Sequence, residues 1–181
     1  MPLVPITEKS HKVIIDLKYG SLDNFTHQKI YDTPLCFLHK EAIPCLEKAI
    51  HLADQQGLRL KIFDGFRPQA AQEKLWDICP NPMYVAPPSK GSPHTRGVAI
   101  DLTLITPEGD ELDMGTPFDD FTELSHHGAI ISAAASKNRY LLLGIMMSAG
   151  WDLYQNEWWH YQLFDAKSYA LLTNSYGMMT K

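Results

Sequence analysis

No apolar run in this sequence is long enough to cross a bilayer. Nothing approaches the roughly 18 consecutive apolar residues that a spanning helix needs, and the longest candidate, Tyr140 to Ala149, reads as a buried helix by its length. Clustered basic charge is also missing. The 16 Lys and Arg residues are scattered, with no more than two adjacent or nearly so, and the formal net charge is −5. Nucleic-acid binding therefore gets little support, and the mild acidity speaks only for solubility. The first residues, Met1 to Glu8, have no basic segment, no apolar stretch and no small-residue cleavage site, so a cytoplasmic protein without a secretory leader is expected. Cysteine is scarce. Cys36, Cys45 and Cys79 are an odd number with no metal-type pair, which predicts reduced thiols and excludes a disulfide framework. Without a leader, the glycosylation sequon Asn24-Phe25-Thr26 carries no meaning.

What is present is ordinary globular material. The 181 residues are 45% hydrophobic and 20% charged, enough for one domain spanning residues 1–181 with a core that needs no cross-links. No internal repeat or low-complexity segment appears. Val13 to Tyr19 is β-branched and closed by Gly20, a predicted strand. Apolar residues at helical spacing from Ala42 to Ala53 predict a helix beginning near Glu41, with Pro44 in its first turn and Gly57 as its stop. Leu58, Leu60 and Ile62 alternate with Arg59 and Lys61 as a half-buried strand ending at Asp64-Gly65, after which Pro68 opens a helix to about Ile78. Residues 80–93 hold five prolines and form a loop long enough to suggest function. Val98 to Leu104 predicts a strong strand, Pro107 to Asp110 a turn, and Lys137 to Ala149 a helix stopped by Gly150. Trp151–Tyr154 and Trp158–Leu163 are expected as strands around a turn at Gln155-Asn156. The mixture lacks a βαβ rhythm, so the expected class is α+β, a mostly antiparallel central sheet flanked by helices.

Eight histidines are present. His11, His27, His39 and His51 stand in polar or helical contexts and are expected at the surface or at caps. His126-His127 is a loop pair whose neighbours in sequence do not readily face one ion. His94 differs, lying where the proline-rich loop meets the strong strand. Within that strand Asp101 interrupts an apolar run, and a buried carboxylate needs a cation or donors. A salt bridge to Arg96 or another base would serve, and so would a metal shared with His94. Seven extended residues span roughly 23 Å, so the second reading requires the chain to reverse at Thr95-Arg96-Gly97, where Gly97 tolerates positive φ. A second element, Glu157-Trp158-Trp159-His160-Tyr161, reads as strand. Residues three apart then face opposite sides unless Glu157 sits in the turn or at a bulge. Two imidazoles and a carboxylate suit a catalytic zinc, which keeps a position for water. A further glutamate that is not a ligand could then move the proton.

These motifs are recognisable. Ser92-x-His94-x-x-Gly97-x-Ala99-x-Asp101 with Glu157-x-Trp159-His160 resembles the D-alanyl-D-alanine dipeptidases of the vancomycin-resistance type, relatives of zinc D,D-carboxypeptidases. Asp64-Gly65-Phe66-Arg67-Pro68, Asp113 to Asp119, Ser125-His126-His127, and Asp16 to Tyr19 with Asp23 to Thr26 extend the likeness over roughly residues 13–164. The resemblance implies His94, Asp101 and His160 as ligands of one Zn2+ per chain, Glu157 as general base, and Arg67 as stabiliser of the oxyanion. Ser92 and Asp119 would line the pocket, with Asp119 (or, by a shift of register, its neighbour Asp120) facing the substrate ammonium. Trp159 would be wall. The implied reaction is hydrolysis of D-Ala-D-Ala-type dipeptides drawn from cell-wall chemistry, with a small dipeptide as partner and no nucleic acid or membrane. The alternatives are a D,D-carboxypeptidase on cell-wall peptides and a non-catalytic zinc-binding module.

Overall fold

Ile100, Leu102 and Leu104 alternate with Ala99, Asp101, Thr103 and Ile105, and in the computed structural model, which describes residues 2–172, this stretch is buried throughout and lies at the centre of the sheet. The strands and helices follow in chain order as β1 (Leu3–Pro5), α1 (Glu8–His11), β2 (Ile14–Ile15), β3 (Phe37–His39), α2 (Ile43–Asp54), β4 (Arg59–Asp64), α3 (Gln69–Ile78), β5 (Ala99–Ile105), α4 (Ala133–Ala149), β6 (Asp152–Leu153) and β7 (His160–Gln162). The main sheet runs β2-β4-β5-β7-β6, and β1 pairs with β3 in a separate two-stranded ribbon. Every pairing is antiparallel except β2 with β4, which is parallel, so the sheet is mixed.

The helices form where the apolar spacing predicts them. In α2, Leu46, Ala49 and Ala53 are buried, and Pro44 falls in the first turn, where its missing N–H costs nothing. A 3-10 turn at Lys40–Ala42 precedes it, with His39 as the capping acceptor. Helix α4 starts four residues earlier than the apolar pattern indicates, because Ser132 accepts from Ala135 N and a run of alanines extends the helix without any hydrophobic signal. The strand expected over Val13–Tyr19 shrinks to Ile14–Ile15. Beyond it Lys18–Gly20 turns into a 3-10 helix and Tyr19 packs inward. Ile100, Leu102 and Leu104 join α2 and α4 in one core; by alternation along β5, Asp101 faces the opposite side of the sheet. No helix among the described residues is long and apolar enough to cross a membrane. The three cysteines are free, and Cys36 is buried.

Candidate metal centre

One rung of the sheet carries three of the polar residues. Asp64 pairs with Asp101 across β4 and β5, after a register shift between Ile62 and Asp64, and Asp101 pairs with His160 across β5 and β7. His94 arrives from outside the sheet on a 3-10 turn, His94–Arg96, closed by Gly97 at φ 71°. Val98 N donates to Pro93 O (3.1 Å), which completes the reversal between His94 and Asp101. A Cβ at Gly97 would lie 2.8 Å from Leu3 Cδ2 and 3.2 Å from His39 N, so this turn needs glycine for space as well as for conformation. Glu157 precedes β7, in the turn that Gln155-Asn156 begins. Its carbonyl accepts from His160 N, and the two side chains therefore reach one site despite their odd spacing.

The ligand atoms converge. Possible donor atoms of His94, Asp101 and His160 all lie within 4.8 Å of one another. His94 Nε2 is 3.3 Å from Asp101 Oδ2, His160 Nδ1 is 3.0 Å from Asp101 Oδ1, and the two ring nitrogens are 3.1 Å apart. The remaining ring nitrogens are committed elsewhere. His94 Nδ1 donates to Gly65 O at 2.8 Å, and His160 Nε2 donates to Gln162 Oε1 at 3.2 Å. Since a carbonyl only accepts, those contacts place a ring proton on the outer side of each imidazole and turn the other nitrogen, with the Asp101 carboxylate, toward one point. Burial alone would push the Asp101 carboxyl up; charge and hydrogen bonds from the His94 and His160 rings more than offset this and hold it below the ordinary range, so it is an anion. Two imidazoles and a carboxylate gathered this closely could hold a metal ion.

Around this point sit the other candidate residues. Glu157 is 6% exposed and its Oε2 lies 3.8 Å from His160 Nδ1. Burial, then the charges of Asp101 and Asp119, push its carboxyl well above the usual value, which suits a group that takes and returns a proton. Arg67 is fixed by Asp64, which accepts from Nε at 2.9 Å and from Nη2 at 2.8 Å, and its Nη1 donates to Gln72 Oε1 at 3.1 Å. Its guanidinium lies 5.1 Å above the Tyr19 ring, and Nη2 is 3.8 Å from Asp101 Oδ2. Arg67 thus points at the cluster rather than at solvent. Asp119 has positive φ (59°), accepts from Tyr19 OH at 2.8 Å and faces the same cavity. Burial and then Asp101 raise its carboxyl well above the usual range, against the Tyr19 hydroxyl. Ser92 is buried, and its Oγ accepts from His94 N at 3.1 Å. Asp120 is not among the residues lining the cavity, and Trp159 is one of its walls.

All seven candidate residues line one cavity of about 850 Å³, whose outer part is made by the 82–93 segment and by Asp165 to Lys167. Gln72, fully buried, joins Arg67 to that outer segment, since its Nε2 donates to Ala86 O at 2.7 Å. Of the two readings of Asp101, a salt bridge to Arg96 or another base, or a shared metal, Arg96 takes no part: it donates to the carbonyls of Tyr169 and Lys90, and the base near Asp101 is Arg67, at 3.8 Å. His126 and His127 do not line the cavity. Asp64, Tyr31, Gln72 and Gln162 escaped the sequence reading as functional residues. Asp64, three residues before Arg67, and Gln162, two residues along a strand from His160, were findable from spacing. Tyr31, whose hydroxyl donates to Asp64 Oδ1 at 2.5 Å, comes from an irregular segment and carries no local signal.

Four carboxylates, Asp64, Asp101, Asp119 and Glu157, thus stand around one guanidinium, and burial beside like charges is what raises the carboxyls of Asp119 and Glu157.

The profile of the D-ala-D-ala dipeptidase family, Peptidase_M15, matches residues 1–178. A D-alanyl-D-alanine dipeptidase of Escherichia coli (strain K12) is 47% identical over 164 residues, 90% of this chain and 85% of that protein. One of Enterococcus faecium is 37% identical, over 88% of this chain and 90% of that protein. One of Streptomyces coelicolor is 32% identical, over 82% and 84%.

Proposed function

The chain belongs to the D-ala-D-ala dipeptidase family of metallopeptidases, and from that premise we propose that it hydrolyses D-Ala-D-Ala and closely related dipeptides, with one zinc ion per chain held by His94, Asp101 and His160. The observation that carries this reading is the convergence of two ring nitrogens and a carboxylate beside a buried glutamate and a fixed guanidinium. A non-catalytic zinc module would need neither Glu157 nor Arg67.

Zinc bound at this donor set would supply a Lewis acid and lower the pKa of its water to about 7. The residues of the chain do the rest. Glu157 accepts a proton from the attacking water and delivers it to the departing amine. Arg67, already oriented by Asp64 and Gln72, donates to the oxygen on which negative charge develops, in a site shielded from solvent. Asp119 accepts from the substrate ammonium, and Ser92 closes the wall beside His94. The cavity is larger than a dipeptide, so selection against longer peptides rests on capture of the terminal charge rather than on volume. That volume also keeps a D,D-carboxypeptidase in play as a second reading.

Two measurements test this. Glu157→Ala is expected to keep about one zinc per chain while kcat falls by ~10²–10⁴-fold; unchanged turnover would remove Glu157 from the reaction. D-Ala-D-Ala is expected to be hydrolysed and its N-acetylated form refused, whereas equal rates on both would establish the carboxypeptidase reading.

A further inference from the structure

On the far side of β7 from the metal centre, a second and much smaller cavity lies between the 126–131 loop and α4. Its volume is about 20 Å³, room for one small occupant, and His127, Ile131, Ser136 and Arg139 are among its lining residues. Arg139 is 5% exposed. Its Nε donates to Met114 O at 2.6 Å, its Nη1 to His126 O at 3.2 Å, and its guanidinium lies 5.8 Å from the Trp158 ring. Nη2 has no partner among the described residues, and neither has Nε2 of His127 or the hydroxyl of Tyr161, whose ring lies against His127. Among those residues no carboxylate forms an ion pair with Arg139; Asp113 and Asp120 act on it only from a distance.

A buried guanidinium without a counter-charge is costly, and two of these unpaired polar atoms belong to residues that line the same cavity. A water would satisfy hydrogen bonds but would leave the charge. An anion meets both needs, because Arg139 Nη2 can donate and His127 can donate through its Nε2–H tautomer.

We propose that this cavity is a binding site for one halide-sized anion, held by Arg139 and His127. The site has a structural consequence. His127 N donates to Gln155 O at 2.9 Å and Gln155 Nε2 donates to His127 O at 2.8 Å, so the loop that holds the anion also braces the turn leading to Glu157.

The test needs no substrate. Crystals soaked in bromide are expected to show an anomalous peak beside Arg139 Nη2. In solution, the melting temperature in 200 mM chloride is expected to exceed that in 200 mM gluconate by roughly 2–5 °C, as for a site with a dissociation constant in the tens of millimolar. Arg139→Gln should abolish that difference, and His127→Phe should reduce it should the arginine variant fail to fold. A bromide peak with equal melting in the two salts would mean an adventitious ion only and overturn the proposal. So would soaked crystals with no peak in the cavity.

Discussion

Oε1 of Gln162 stands 3.2 Å from Nε2 of His160, on the edge of the ring turned away from Asp101. Residues two apart on a strand share a face, so on the proposed reading β7 supplies both a ligand and the group that fixes its tautomer. Gln162→Leu removes that control while leaving His94, Asp101 and His160 in place. The expected outcome is a zinc affinity lower by ~10–100-fold in a chelator competition, with little change in melting temperature of the metal-free protein. Unaltered affinity would show that the ring is oriented by packing alone.

Asp64 is fully buried and gathers Arg67, Tyr31 and Gly65 N around one carboxylate. Asp64→Asn leaves the guanidinium without the charged oxygen that accepts from both its Nε and its Nη2, which costs about 3–5 kcal/mol of stability where a buried pair is broken. Tyr31→Phe is the gentler variant. It removes one charge-assisted hydrogen bond, worth about 1.5–3 kcal/mol, and is expected to lower kcat with KM little changed. Denaturant unfolding and steady-state kinetics on both variants check this.

Asp119 is expected to act on the substrate before the chemistry. Asp119→Asn should raise KM for the free dipeptide by about 10–100-fold, the loss of one hydrogen bond to a charged group, while zinc content stays constant. A variant with normal KM would assign the ammonium to another group.

His127 gives a pH dependence whose sign can be worked out. Burial, then the neighbouring charge of Arg139, lowers its folded value from 6.5 to about 4. Below about 6.5 the unfolded chain takes up a proton that the folded chain refuses until about pH 4. Stability is therefore complete above this window and falls as the pH drops through it. In halide-free buffer, His127→Gln should flatten the acid limb of the stability profile between pH 6.5 and 4. An unchanged slope would place the acid sensitivity elsewhere.

At Gly97 any side chain meets both a positive φ and Leu3 Cδ2 at 2.8 Å. Gly97→Ala is expected to cost about 1–3 kcal/mol and, by shifting the turn that carries His94, to weaken zinc binding. Thermal melts and zinc titration report the two effects separately.

Much of this was readable from the chain. Asp101 stood out as a carboxylate in an apolar strand, Gly97 marked the reversal, and the turn before Trp158 allowed Glu157 and His160 to meet. The sheet's outer members were harder. Val13 to Tyr19 has the composition of a strand, yet only two residues pair, since Tyr19 is drawn inward toward Asp119 and Arg67 by contacts with residues far along the chain. The first turn of α4 was hidden because alanine and serine carry propensity and capping but no periodicity. Tyr31 shows the general limit: a side chain placed by tertiary packing alone leaves no trace in its own neighbourhood.

Because Asp64, Asp101 and His160 sit side by side on adjacent strands, their meeting is set by hydrogen-bond register, whereas His94 and Glu157 are brought to them by turns. Slipping either neighbour of β5 by a single position would turn its polar group to the opposite face and put an apolar one in its place. Insertions should therefore be tolerated around the rim of the cavity, where they alter what can enter, and be lethal to the function within those three short strands.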